Sequence, residues 1–334
     1  MSKRWFCLYG NCIVVRGAAR AAICDLHLVR LQHVPLSVAT LLDSGRAAED
    51  SVNEASADPV VAAGIEVLLR RDYAFWTEEP ERFPPIDLTW RHPSRITNAI
   101  IDFDGSYKHD YALLFRKLSE QGCVAVQIRG FSSIDANAWR LILEAASSLR
   151  FRHVDIVASF HPSLSYDTLT AWCLSFPVLI GVVIHSSPIS IAYTLKPYDT
   201  TCIFTTQPIT PHECGQVSKE LFAVTTEHFT EARTFNSCLN RKLSVDASGL
   251  IRQCPSMPES FGYAAEVALL PVLNNHEFTE VWSLTKDHID VCRDCEYRYV
   301  CTDCRAHLAD PHKPTSKPAR CQYDPYTATW GNKI

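Results

Sequence analysis

Seven cysteines lie in the last hundred residues: Cys238, Cys254, Cys292, Cys295, Cys301, Cys304 and Cys321. Two thiolates separated by two residues on a tight turn can grip one metal centre, and more distant thiolates then close its shell. The run CRDCEYRYVCTDC, from Cys292 to Cys304, supplies the close pairs, and Cys238, Cys254 and Cys321 are the distant partners. Seven is one short of two complete four-thiolate shells, so the spacing predicts a cradle for metal rather than a set of buried apolar thiols. Paired CxxC elements fit structural zinc as well as iron-sulfur clusters, and spacing alone leaves both open.

The elements that must position these thiols can be read from the surrounding pattern. Ten residues separate Cys238 from Gly249 and four more separate Gly249 from Cys254. The segment KLSVDASGLIRQCP alternates apolar and polar residues on both sides of Asp-Ala-Ser-Gly, which predicts a hairpin with Gly249 at positive φ, turning Cys254 back toward Cys238. Upstream, apolar runs begin near Ile96, Cys123, Val154, Val178, Cys202 and Leu221, a spacing that suits successive strand-helix units and a parallel sheet covered on both faces. Two helical stripes fill the early gaps: Tyr107, Tyr111, Leu114, Phe115 and Leu118, then Ile134, Ala138, Leu141, Ile142, Ala145 and Leu149. Cys173 shares a helical face with Leu169, Trp172 and Phe176 and reads as core. At the strand ends, where open parallel sheets bind ligands, Asp102, Asp104, Arg129 and His185 are candidates, although no motif links them.

Before the proline-rich joint EEPERFPPIDL, the chain reads as a small unit. Strands are expected over 12–15 and 22–28, with a helix started by Pro35 and stopped at Gly45. A second helix bearing Val61, Ile65, Leu68 and Leu69 and a β-rich run from Tyr73 to Thr77 follow. Cys7, Cys12 and Cys24 are expected as small buried hydrophobes.

At 334 residues, with 47% hydrophobic and 21% charged residues, the chain can bury the cores of two or three domains. A formal charge of -5 offers no basic field for nucleic acid. Gly10, Asn11 and Arg16 interrupt the N-terminal apolar stretch, so neither a signal peptide nor a membrane span is expected. Fourteen cysteines without a secretion signal predict a reducing, cytoplasmic setting.

The cysteine order resembles the SPASM domain, the auxiliary iron-sulfur module of many radical S-adenosylmethionine peptide-modifying enzymes. The chain departs from the C-x2-C-x5-C-x3-C core of that pattern in one place, with two residues rather than three between Cys301 and Cys304. The resemblance implies one cluster on Cys292, Cys295, Cys301 and Cys321, and another on Cys238, Cys254 and Cys304 with its fourth position unfilled by the motif. Both would be of 4Fe-4S type, with zinc as the alternative. It also implies an α/β fold: an open, partial β/α barrel of radical S-adenosylmethionine type over 94–232, followed by the SPASM module over 233–330. Residues 1–85 resemble a winged-helix peptide-recognition unit, which would take a leader peptide as an added strand. The C-x3-C-x2-C loop that would hold the catalytic cluster is missing, because the segment after the first strand, DFDGSYKHDYALLF, has no cysteine. The glycine-rich turn after the second strand is IRGFSS, so S-adenosylmethionine is not expected as a cofactor.

Several phrases, among them GNCIVVRGAARAAICDLHLVRLQHVP, RITNAIIDF and SCLNRKLSVDASGLIRQCPSMPESFG, narrow the resemblance to the SPASM-domain peptide maturase of the grasp-with-spasm system. That implies a ribosomally made precursor peptide and an ATP-grasp peptide ligase as partners. The alternatives are an enzyme using an under-coordinated cluster as Lewis acid or electron donor, a radical S-adenosylmethionine-type peptide-modifying enzyme, and a zinc-stabilised adaptor.

Overall fold

The computed structural model describes residues 3–331 apart from 106, 107 and 212. They form two units, each assembled from separated stretches. The first comprises Met1–Arg91, Gly215–Cys238 and Ser283–Ile334, and the second comprises His92–Cys214 and Leu239–Trp282.

The first stretch of unit one contains β1 (Trp5–Leu8), β2 (Cys12–Arg16), β3 (Ala21–Asp25), β4 (Arg30–Val34), α1 (Leu36–Leu41), β5 (Arg46–Ala48), α2 (Glu49–Ala55), α3 (Pro59–Arg70) and β6 (Ala74–Thr77). β2, β3 and β4 form an antiparallel meander, while β1 is central in a second antiparallel sheet of order β5-β1-β6. The strand at 12–15, the helix after Pro35 and the strand ending at Thr77 appear where the pattern places them, whereas the strand expected over 22–28 spans only Ala21–Asp25, because residues 26–28 form the turn into β4. On α3, Val61, Ile65 and Leu68 are buried with Leu69 packed beside them. Asp58 caps that helix by accepting the Val60 N–H at 2.8 Å. Cys7, Cys12 and Cys24 are buried as expected.

Unit two is built on an eight-stranded, mostly parallel sheet of order β11-β12-β10-β9-β8-β7-β13-β14. Its members are β7 (Asn98–Phe103), β8 (Ala125–Gly130), β9 (His153–Ser159), β10 (Leu179–His185), β11 (Ile191–Leu195), β12 (Thr200–Phe204), β13 (Lys242–Val245) and β14 (Ile251–Arg252). The edge pairs β11–β12 and β13–β14 are antiparallel, and every pair between them is parallel. α4 (Tyr111–Glu120), α5 (Ala136–Ser147) and α6 (Tyr166–Ser175) follow β7, β8 and β9, giving the strand-helix repeat of an α/β fold. Asp110, Asp135 and Ser165 cap the three helices by accepting N–H groups in their first turns.

Two expectations need correction. The apolar run at Leu221 is not a strand: Lys219–Leu221 is a 3-10 turn and Leu221 is exposed. Phe222 and Val224 instead pack with Tyr297 and Val300 in unit one. The buried face of α5 is centred on Trp139, Ile142, Leu143 and Ala146, leaving Leu141 exposed. The Trp139 ring, 5.2 Å from that of Phe103, turns the helix toward the bulkier side chain. On α4, Leu114, Phe115 and Leu118 are buried as predicted, whereas Tyr107 lies outside the described residues. Cys173 is fully buried beside Leu169 and Trp172. The hairpin at Gly249 forms with φ +88°, and the Asp246 carboxylate accepts the N–H groups of Ser248 and Leu250, each at 3.0 Å. Among the described residues no helix is long and apolar enough to cross a membrane.

Candidate metal centre

The C-terminal stretch of unit one has little regular structure, and its cysteines are placed by tight turns. Cys292 opens a 3-10 turn over Cys292–Asp294, preceded by Val291 at φ +67°. The Cys295 N–H returns to the Cys292 carbonyl at 3.0 Å, bringing the first pair around one bend. The Cys295 sulfur accepts the Tyr297 N–H at 3.4 Å, and the Cys301 N–H reaches the Tyr297 carbonyl at 3.0 Å, so a second turn carries Cys301 back. Cys321 arrives from a later loop, its N–H bonded to the Pro318 carbonyl at 3.1 Å.

These turns make Cys292, Cys301 and Cys321 electrostatic neighbours, with Cys301 also acting on Cys295. Burial pushes the Cys292 thiol up to about 12, and Asp303 and the neighbouring cysteines add to the rise against Lys286. Burial likewise raises Cys295 and Cys301. Without a cation Cys292, Cys295 and Cys301 therefore favour the neutral thiol. A coordinated metal reverses that preference, because a coordinating thiol is deprotonated outright. Among the described residues no three His, Cys, Asp or Glu side chains stand at coordinating separations, so the thiols form a neighbourhood rather than a closed shell. No disulfide joins any cysteine among the described residues. Four soft sulfur donors are the set that zinc and iron-sulfur clusters take, and in this respect the residues fit either group.

Sequence reasoning missed the charged groups beside this neighbourhood. Lys286 is 5% exposed, donates to the Thr302 carbonyl at 3.2 Å and is an electrostatic neighbour of Cys301. Burial would lower its pKa, yet Cys301, Asp303 and Cys292 more than offset this and hold it above the usual range. Asp303 is bound by Arg305 at 2.6 Å and by Asn236 at 2.9 Å. A lone Lys, Asn or Arg has no spacing signature, so only the fold could bring them to the cysteines.

The remaining three cysteines fall in different units. Cys238 and Cys304 belong to unit one, and Cys254 follows β14 in unit two. In unit one, buried Asn236 accepts the Cys238 N–H at 3.0 Å and donates to Asp303, next to Cys304. Gly215, at φ +79°, approaches Cys304 so closely that a Cβ there would lie 2.8 Å from its sulfur. The backbone thus leaves room at the Cys304 sulfur that a larger residue would fill.

The first thiol loop is held from outside by the β2–β3 turn. Arg20 donates to Glu296 at 2.7 Å and to the hydroxyls of Tyr297 and Tyr323 at 2.9 and 3.2 Å. Tyr323 donates to the same carboxylate at 2.5 Å, and the Ala18 N–H bonds the Asp294 carbonyl at 2.7 Å. His33 reaches the Tyr297 hydroxyl at 2.7 Å. Residues flanking Cys295 are thereby tied to the N-terminal meander of the same unit.

At the strand ends of unit two, Asp102 and Arg129 occupy paired positions on β7 and β8. They form a buried bidentate ion pair with both contacts at 2.6 Å. Burial raises Asp102, with Arg129 opposing it. His185 is buried and satisfied by the Gly130 carbonyl and the Ser186 hydroxyl at 3.2 and 3.1 Å. Asp104 is exposed beyond the end of β7. The expectation that these residues face a pocket is thus met by a closed ion pair and a satisfied histidine. A cleft of about 340 Å³ lies elsewhere, beside β1, lined by Leu8, Tyr9, Gly10, Arg46, Phe83 and Pro84 among others.

No family model, curated protein or solved structure matches this chain.

Proposed function

We propose that this chain is a maturation factor for a ribosomally made peptide, binding the precursor and acting with an ATP-grasp peptide ligase, with metal-thiolate centres organising its C-terminal region. The observation that carries this reading is the gathering of Cys292, Cys295, Cys301 and Cys321 beside buried Lys286, in a chain whose cysteine order resembles the SPASM domain. By that resemblance the centre is an iron-sulfur cluster. When bound, such clusters supply electron transfer or Lewis-acid polarisation.

The finer fold reading is a partial β/α barrel of radical S-adenosylmethionine type carrying a winged-helix-like N-terminal unit. It is supported by the chain-order run of β7, β8, β9 and β10. Radical initiation is not part of the proposal. The loop after β7 has no cysteine, and the ends of β7 and β8 are filled by the Asp102–Arg129 pair. For the precursor, β6 is an edge strand of the β5-β1-β6 sheet, where an extended peptide can add its own backbone hydrogen bonds. The aromatic side chains of Tyr9, Phe75 and Phe83 lie together nearby, with centroid separations of 4.8 and 4.7 Å.

The test is a fluorescence titration of a labelled precursor against the full chain, paired with turnover of the ligase encoded beside it. The proposal expects saturable binding and faster ligation when the chain is present. Ligation at the same rate with and without the chain, together with no saturable binding, would refute it.

A further inference from the structure

The three-stranded sheet β5-β1-β6 has two faces of different character. Phe6 and Leu8 of β1 pack with Val38 of α1 and Leu68 of α3 in an apolar core. Side chains alternate along a strand, so Cys7 points to the other face, in register with Arg46 on β5 and Phe75 on β6. The segment after β6 returns beside that face: the Phe83 ring lies 4.7 Å from that of Phe75, and the Ile86 N–H bonds the Gly10 carbonyl at 3.0 Å. The cleft of about 340 Å³ beside β1 is lined by both the sheet and this segment. Its apolar lining includes Cys7, Tyr9, Phe83 and Pro84, and its charged lining residues are Arg46 and Glu81.

Arg46 is held more loosely than other arginines of unit one. Arg20 and Arg30 meet carboxylates at 2.7 and 2.9 Å, whereas the ion pair of Arg46 with Glu81 is 3.9 Å long, between side chains 42% and 76% exposed. A solvated pair of that kind contributes little and is displaced at little cost. The Trp5 ring, 5.5 Å from the guanidinium, keeps Arg46 at the sheet. A guanidinium takes a carboxylate through a fork of two N–H groups, and an apolar wall beside it selects the body to which that carboxylate is attached. The volume lies at the lower end of small-molecule sites, which suits one ring or one short aliphatic body rather than an extended chain. We propose that this cleft binds a small free carboxylic acid with a single apolar body, whose carboxylate takes Arg46 from Glu81 while the body lies against Tyr9, Phe83 and Pro84. The assignment needs neither the metal-thiolate centre nor an added strand on β6, so it stands apart from the peptide reading.

The experiment titrates 3-phenylpropionate into the full chain, as wild type, R46M and E81Q, and follows binding by saturation-transfer nuclear magnetic resonance. 3-Phenylpropionamide, which keeps the body and removes the charge, and a tripeptide ending in phenylalanine are the comparison ligands. Saturable binding of the acid is expected, with the amide about tenfold weaker, as the loss of a charge-assisted hydrogen bond implies. The tripeptide is expected to bind more weakly than the acid, because its chain does not fit the cleft. R46M should lose about tenfold in affinity for the acid, and E81Q, which removes the competing carboxylate, should gain up to about threefold. No saturable binding of the acid, equal binding of acid and amide, or an unchanged affinity in R46M overturns the proposal. Tighter binding of the tripeptide than of the acid also overturns it, since the occupant would then be a peptide end. Should R46M fail to fold, E81Q decides: an affinity for the acid that is unchanged or lower than in wild type overturns the assignment of Arg46 as the carboxylate partner.

Discussion

The sheet of unit two and the cysteine-rich stretch of unit one solve the problem of a stable interior in opposite ways. The sheet buries large side chains such as Trp139, Phe115, Ile101 and Leu118 almost completely, and its helices are capped within their own sequence. Its buried charges are closed on themselves in the Asp102–Arg129 pair. The cysteine-rich stretch has short turns instead of long elements, and its interior contains thiols and the buried charged side chains of Lys286, Asp303 and Arg305. Apolar burial stabilises the first region without any added group. The second has the composition of a site that a metal completes, as small loop-rich regions often require.

The largest effect should come from breaking that second region. Cys292→Ala with Cys295→Ala should remove the metal and unfold residues 283–331, since structural zinc in small peptides contributes ~10–16 kcal/mol. Limited proteolysis followed by mass spectrometry checks this. Cleavage should concentrate in that stretch while the strands of unit two stay resistant, and an unchanged cleavage map would remove the contrast between the regions.

The next effect belongs to the sheet. Arg129→Met leaves the Asp102 carboxylate buried without its cation and should cost about 3–5 kcal/mol, read as a fall in the midpoint of denaturant unfolding. Combining it with Asp102→Leu should restore part of the loss, because no buried charge then remains. A double variant no more stable than Arg129→Met would show that the pair does more than satisfy itself.

A smaller effect is expected from acid. Burial, reinforced by Arg20, lowers the His33 pKa from its ordinary 6.5 to about 4. The unfolded chain therefore takes up the proton more readily, and the contribution of neutral His33 is present above pH 6.5 and lost as pH falls toward 4. Unfolding monitored between those values should show unit one weakening on acidification, and His33→Gln should flatten the slope. The smallest effect should be Asp135→Ala, which removes the α5 cap that accepts the Ala138 N–H at 2.8 Å and should cost about 1 kcal/mol.

The contrast also explains what could be read from the chain alone. Strands β7, β8, β9, β10 and β12 were legible because buried parallel strands are written as apolar runs, and α4 and α6 because their apolar residues recur at helical spacing. The Gly249 hairpin was legible because positive φ and an Asx turn have a local chemistry. The strand β11 was not: Ile191 is exposed and its run is short, so it has no apolar signature. LFAVT was misread because an extended segment that half-buries Phe222 and buries Val224 has the same pattern as a strand, while only the neighbours decide whether it pairs. The seven cysteines stood out by spacing, and only the resemblance implied their division into two sets, but Lys286, Asn236 and Asp303 have no spacing signature and are brought near cysteines only by the tertiary fold.

The proposed iron-sulfur character of the cysteine-rich stretch has a direct chemical readout. Iron, sulfide and zinc analysis of anaerobically purified full-length protein, with its visible absorption spectrum, tests it most directly. A brown protein containing iron and sulfide is expected, bleached on chelation or air exposure with loss of order in residues 283–331. A colourless, fully folded protein carrying no iron would contradict it.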